Sequence, residues 1–167
     1  MIYRLPHPEE SLDQGDIIDG CPLVSLVHFD AAQPATIQTQ HAFHRIIVLT
    51  QTCDLANLKA PEIVTAIVWN AEDLVQQQLL KAAEVRGPIR SGRVYGWYFL
   101  PRSDSYGLPE SIVDRRQLHM VRLDYLLALC ARGQRRARFQ PLYREHLAKH
   151  FADTYSRIGL PEPYATE

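Results

Sequence analysis

Several things are scarce in this chain, and each scarcity excludes a class of protein. Its 167 residues hold only three cysteines, Cys21, Cys53 and Cys130, with no C-x-x-C pair. That is too few for a disulfide framework and lacks the spacing of a zinc knuckle. Cys130 lies on the apolar helical face of D-Y-L-L-A-L-C-A and reads as core packing, while Cys21, between Gly20 and Pro22, reads as the start of a strand. The longest apolar runs, such as Ile46–Leu49, fall far short of the ~20 residues of a membrane span. The opening M-I-Y-R-L-P-H-P-E-E lacks the basic segment and long apolar core of a secretory signal, so a bacterial-type cytoplasm is the expected compartment, with no membrane partner. There are no repeats, low-complexity segments or long linkers.

With 46% hydrophobic and 22% charged residues, the chain reads as one globular domain. Its formal net charge of −1 hides an asymmetry: residues 115–157 carry ten basic and three acidic side chains, and the remainder eight basic and sixteen acidic. A basic C-terminal third fits a phosphate-bearing partner, because Lys and Arg release the counterions of nucleic acid. It fits equally well a domain whose two parts attract each other. Arg135, Arg136, Arg138 and Arg144 are the candidate nucleic-acid contacts, with Tyr143 and Tyr155 for base stacking.

The stretch H-R-I-I-V-L-T-Q-T-C-D-L-A-N, residues 44–57, is central. Ile46, Ile47, Val48 and Leu49 suit a strand buried on both faces, delivering Thr50, Gln51, Thr52, Cys53 and Asp54 to one rim. In an extended chain the odd positions Arg45, Gln51 and Cys53 share a side. Cys53 is a candidate nucleophile with His41, His44 or His146 as base, which makes a Cys53-dependent hydrolase one reading. The structural alternative packs Cys53 inward and uses Asp54 as a turn acceptor. His146 and His150, at i,i+4, are candidate metal ligands with Asp54 or Cys53 as a third.

Alternation and turn residues place strands near residues 22–29, 36–39, 43–50, 62–69, 93–100 and 117–123. Asn70 N-caps a helix over 71–86 that Gly87 and Pro88 stop. After Asp124 the period becomes helical: residues 125–132, a basic linker at 135–138, and a helix over about 141–158. Roughly five to seven strands followed by helices describe an α+β domain, with a core over 1–123 and a helical C-terminal extension over 124–167 packed on it.

Two resemblances add to this. Gln14-Gly15-Asp16-Ile17, then Arg45-Ile46-Ile47-Val48-Leu49-Thr50 and Glu62–Val68 resemble the start of the MazF/PemK toxin endoribonucleases, small β-barrels that cut RNA without metal. The likeness covers roughly the first 70 residues. It implies a small β-barrel or strongly curved sheet with the inserted helix, and a toxin–antitoxin or anti-phage defence setting. The partners it implies are RNA, an antitoxin or other protein subunit, or a second copy of the chain. Arg45 falls on the family's catalytic arginine, with Thr50, Cys53 and Asp54 as neighbouring candidates and no cofactor; the strand-end threonine is replaced by Val68. Separately, V-L-T-Q-T-C-D-L-A, V-D-R-R-Q-L and the terminal R-I-G-L-P are similar to bacterial proteins of unknown function with a [ST]-Q-x-C-D-[LI] signature, over nearly the whole chain. The runner-up function is a non-catalytic interaction subunit of such a system, whose barrel surface binds a protein partner; separately, Arg157 turning back to pair with Asp54 or Asp114 would make the terminal signature a structural clasp.

Overall fold

The computed structural model describes residues 1–57 and 61–156; Arg157 and the terminal R-I-G-L-P lie outside the described residues. Its strands are β1 (Tyr3–Arg4), β2 (Asp16–Phe29), β3 (Ile37–Val48), β4 (Glu62–Asn70), β5 (Trp97–Leu100), β6 (Ser111–Arg122) and β7 (Arg135–Phe139). The helices are α1 (Thr52–Ala56), α2 (Ala71–Gln76), α3 (Ala82–Glu84), α4 (Leu123–Ala131) and α5 (Pro141–Tyr155). The strands form one antiparallel sheet in the order β1-β7-β2-β3-β4-β6-β5. No helix among the described residues is long and apolar enough to cross a membrane.

The fold is α+β, but the sheet is not closed into a barrel. Its edges are the two-residue β1 and the four-residue β5, with no backbone ladder between them. Curvature still brings them together: the Tyr3 hydroxyl donates to the Pro101 carbonyl at 2.9 Å. The expectation of a strand buried on both faces holds, since Ile46, Ile47, Val48 and Leu49 are all fully buried. Ile47 and Leu49 join Tyr98, Phe139 and Leu147 on one face; Ile46 and Val48 join Leu55, Leu126 and Leu129 on the other. Burying so many branched side chains on both faces is what makes β3 the centre of the domain.

Three local expectations are corrected. The 135–138 segment is not a linker: it forms β7, inserted between β1 and β2, with Ala137 and Phe139 in the core. The arginines flanking Ala137 hide the alternation because carboxylates neutralise them there. The 71–86 helix starts as expected, with the Asn70 side chain accepting from Glu72 N at 2.9 Å. It ends at Gln76, because Gln78 turns to φ +59, and the chain restarts at α3 and passes through Pro88 in a wide turn, Val85–Ile89. Ala71, Leu74, Val85 and Ile89 from this region are buried, and a single helix cannot place them on one stripe together with Leu79 and Leu80. The two strands expected at 36–39 and 43–50 are one strand, β3, which pairs with β2 as a long hairpin.

Candidate functional site

The polar rim after β3 divides into roles. Thr50 Oγ1 accepts from Val64 N at 2.8 Å, Gln51 is the N-cap position of α1, and the Thr52 hydroxyl donates to Asp13 Oδ1 at 2.6 Å. Because the chain turns helical at Thr52, the alternation argument stops there, and Arg45, Gln51 and Cys53 do not share a strand face. Cys53 is exposed, with its Sγ 3.6 Å from Gln51 Oε1 and 3.9 Å from Asp54 Oδ1; none of the three candidate bases is among these partners. Arg45 is engaged elsewhere. Its Nε and Nη2 donate to the two oxygens of Asp19 at 2.5 and 3.1 Å, and Nη1 to the Gly107 carbonyl at 3.3 Å. Burial pushes the Asp19 carboxyl up, but the hydrogen bonds from Arg45 and Arg136 outweigh it and hold the group below its ordinary value.

The four arginines proposed for nucleic acid all meet N-terminal carboxylates. Arg138 holds fully buried Asp16 through Nε and Nη2 at 2.6 and 2.7 Å, and reaches Glu10 at 3.1 Å. Arg135 lies 3.4 Å from the same aspartate and donates to the carbonyls of His7, Glu10 and Ser11. Arg136 pairs with Asp19 at 2.6 Å, and Arg144 with Asp13. The charge asymmetry is therefore met within the domain. Arg135 and Arg138 are buried and do not face solvent. The Q-G-D motif belongs to the same clasp: Gln14 Nε2 donates to the Leu49 carbonyl at 2.7 Å, and Gly15, at φ +82, leaves only 3.1 Å between an added Cβ and that of Phe139.

A cleft of about 670 Å³ opens instead between β5, α5 and the turn around Ile89–Gly92. Trp97, Phe99, Phe139 and Tyr143 line it together with Tyr98, His146 and His150. The i,i+4 spacing on α5 brings the two imidazoles together, with ring centroids 4.2 Å apart. Below them, the Tyr98 hydroxyl lies 3.0 Å from His146 Nδ1, and its ring stands edge-on to His150 at 5.7 Å. Burial pushes the Tyr98 hydroxyl up to about 12, and Arg115, whose guanidinium lies 5.8 Å from the ring centroid, only partly opposes this. With its proton retained, Tyr98 can donate to Nδ1, which leaves the imidazole's own proton on Nε2. Burial, then the neighbouring His146 and Arg115, lower the pKa of His150, which favours its neutral form. Arg115 anchors α5 by donating to the His150 carbonyl and, at 3.2 Å, to the Trp97 carbonyl; its Nε is buried without a partner.

The histidine pair was visible as a spacing, but Tyr98 and the aromatic walls were not, because the strand around residue 98 looked like ordinary core. Among the described residues no three His, Cys, Asp or Glu side chains gather as a metal site, so neither Asp54 nor Cys53 joins the histidines. No protein-family model matches the chain, and no curated protein matches it.

Proposed function

We propose that this protein binds single-stranded RNA within a toxin–antitoxin or anti-phage defence module, seating a nucleotide in the Tyr98–His146–His150 cleft. The observation that carries the reading is the cleft itself: aromatic walls around a small set of hydrogen-bonding imidazole and hydroxyl groups. Single-stranded bases stack on such walls and present edges to ring nitrogens. At the rim, Arg90 lies 5.4 Å from the Phe99 ring centroid and only 3.9 Å from Glu110, a loose exposed pair that leaves its charge available to a phosphate. The N-terminal MazF/PemK resemblance supplies the RNA setting.

The geometry favours holding RNA over cutting it. In-line cleavage by an acid–base pair needs two nitrogens ~6 Å or more apart, each at ~2.8 Å from oxygens on opposite sides of phosphorus. The two imidazole centroids are only 4.2 Å apart. Arg45, the residue matched to a catalytic arginine, is held by Asp19.

Labelled single-stranded RNA, titrated with protein in EDTA at several salt concentrations, tests this. Tyr143→Ala is expected to weaken binding about tenfold through a lost stacking surface. Arg90→Ala should reduce the salt slope by about one. Absent binding, or binding that neither variant changes, overturns the reading. Cleavage by the wild type that His146→Ala abolishes would replace it with a nuclease. A second reading, an interaction subunit, is favoured by a separate feature, the exposed β2–β3 hairpin.

A further inference from the structure

Among the described residues three arginines are buried, Arg115, Arg135 and Arg138. The last two are neutralised by Asp16. Arg115 has no such partner: it is 3% exposed, its terminal nitrogens donate to the carbonyls of His150 and Trp97, and its Nε meets nothing. The acids whose charge reaches it, Asp153 and Asp114, are paired with Lys149 and Arg116. Burial outweighs their pull and holds Arg115 below its ordinary pKa. A guanidinium still keeps its proton at neutral pH, so the domain carries an uncompensated positive charge in its interior. Folded proteins rarely bury a charge without a counter-ion.

That charge stands directly behind the cleft. The carbonyls that hold it belong to Trp97 and His150, and its guanidinium carbon is 5.8 Å from the Tyr98 ring centroid; all three residues line the cleft. No carboxylate is among the lining residues, whereas Arg90 is. In front of Tyr98, the His146 Nε2 and both ring nitrogens of His150 make no hydrogen bond among the described residues, only Nδ1 of His146 being taken up by the Tyr98 hydroxyl. Each neutral imidazole carries one N–H, and rings 4.2 Å apart can direct these to two oxygens of one phosphate. Gly92, at φ +70, lies so close that an added Cβ would stand 3.5 Å from His150 Cε1, so the turn covers one side of the pair.

We infer that the imidazole end of the cleft takes a phosphate monoester dianion, the phosphorylated end of an RNA strand, with Arg115 as the buried charge that selects it. This rests on reading the cleft as a nucleotide site and adds which phosphate enters. Arg115 does not touch the ligand; it is a positioning residue whose field acts across Tyr98. At that remove, and at an effective dielectric of ~20, one charge changes affinity by about tenfold per negative charge on the ligand. A terminal phosphate carries close to two negative charges at pH 7, and an internal phosphodiester carries one. Strand ends are therefore favoured over internal positions by about tenfold.

Calorimetric titration of the full chain at neutral pH with AMP, the methyl phosphodiester of AMP, and adenosine tests this. Affinity is expected to fall about tenfold at each step. A diester that binds as tightly as AMP, or adenosine that does, overturns the proposal. Arg115→Met should abolish the preference for AMP while adenosine binds as before, and Arg115→Lys should keep it. Equal weakening of both ligands by Arg115→Met would make Arg115 an anchor of α5 only. Should that variant fail to fold, the comparison of the three ligands on the wild type decides alone. Single-stranded RNAs carrying a 5′-phosphate, a 3′-phosphate or neither then tell the two ends apart, and equal binding of all three overturns end recognition while leaving RNA binding in place. A preference for AMP with no RNA bound would keep the phosphate site and remove the RNA reading.

Discussion

The polar cluster around Asp16 and the one around Tyr98 sit under the same sheet, but their hydrogen bonds end in different places. In the first, all three guanidinium nitrogens of Arg138 meet protein oxygens, and Asp16 is sealed between two arginines. In the second, a tyrosine and two histidines converge on an open cleft, and the Arg115 Nε behind them has no partner. The difference teaches that density of charge along the sequence did not mark the site. The charged cluster is closed on itself, and the one with uncommitted hydrogen-bonding capacity is where the proposed ligand would sit.

The sharpest way to break this comparison is to remove the anion of the clasp. Asp16→Asn leaves buried Arg135 without its counter-charge and Arg138 with only Glu10 and Asp13, which costs about 3 kcal/mol and lowers the melting temperature by roughly 10 °C. His146→Ala, by contrast, should cost ~1 kcal/mol or less because that ring is exposed. Equal losses from the two variants, measured by thermal and urea unfolding, would erase the distinction.

Acid separates the two regions next. Glu10 is held down from the ordinary 4.5 to about 2, first by the hydrogen bond from Arg4 and then by the His7 backbone. A carboxyl depressed in the folded state stabilises above its unfolded pKa, and that contribution is lost as pH falls from about 4.5 to about 2. His150 is also depressed, so its contribution has the same sign, but it begins to fade below about 6.5. Melting temperature against pH should therefore fall in two stages, and His150→Gln should reduce the upper one in part, since burial also lowers His44 and His119, and leave the lower one unchanged. A single acid transition below pH ~4.5 in the wild type would show that the cleft does not titrate separately.

The smallest effect is expected at Cys53. Its exposure should make it react with iodoacetamide before Cys21, whose thiol burial pushes up to about 11, and before Cys130, also raised chiefly by burial. Cys53→Ser should nevertheless change stability by less than ~0.5 kcal/mol and leave RNA affinity unaltered. Loss of RNA binding in that variant would move the site back to the rim of β3.

What could be read from the sequence was what depends on neighbours in the chain. The aliphatic run at Ile46–Leu49, the Asn70 cap and the start of α5 at Pro141 came through because short-range periodicity and capping decide them. β7 did not, because its alternation is carried by Arg135, Arg136 and Arg138, whose neutralising carboxylates lie more than a hundred residues away. The counter-charge of Arg45 lies 26 residues back, at Asp19, still beyond the reach of local periodicity. His146 and His150 were visible on one helix, yet the group that completes their site comes from β5, which only the tertiary fold brings near.

The position of β7 also bears on how the protein is made. Asp16 emerges from the ribosome long before Arg138, and at ~5–20 residues per second the interval is roughly 6–25 s. During that time the strand carrying Asp16 lacks the neighbour that both pairs its edge and neutralises its carboxylate. Native pairing of β2 with β7 is thus a late event in biosynthesis, and a nascent chain stalled before residue 135 would expose the β2 edge to chaperones.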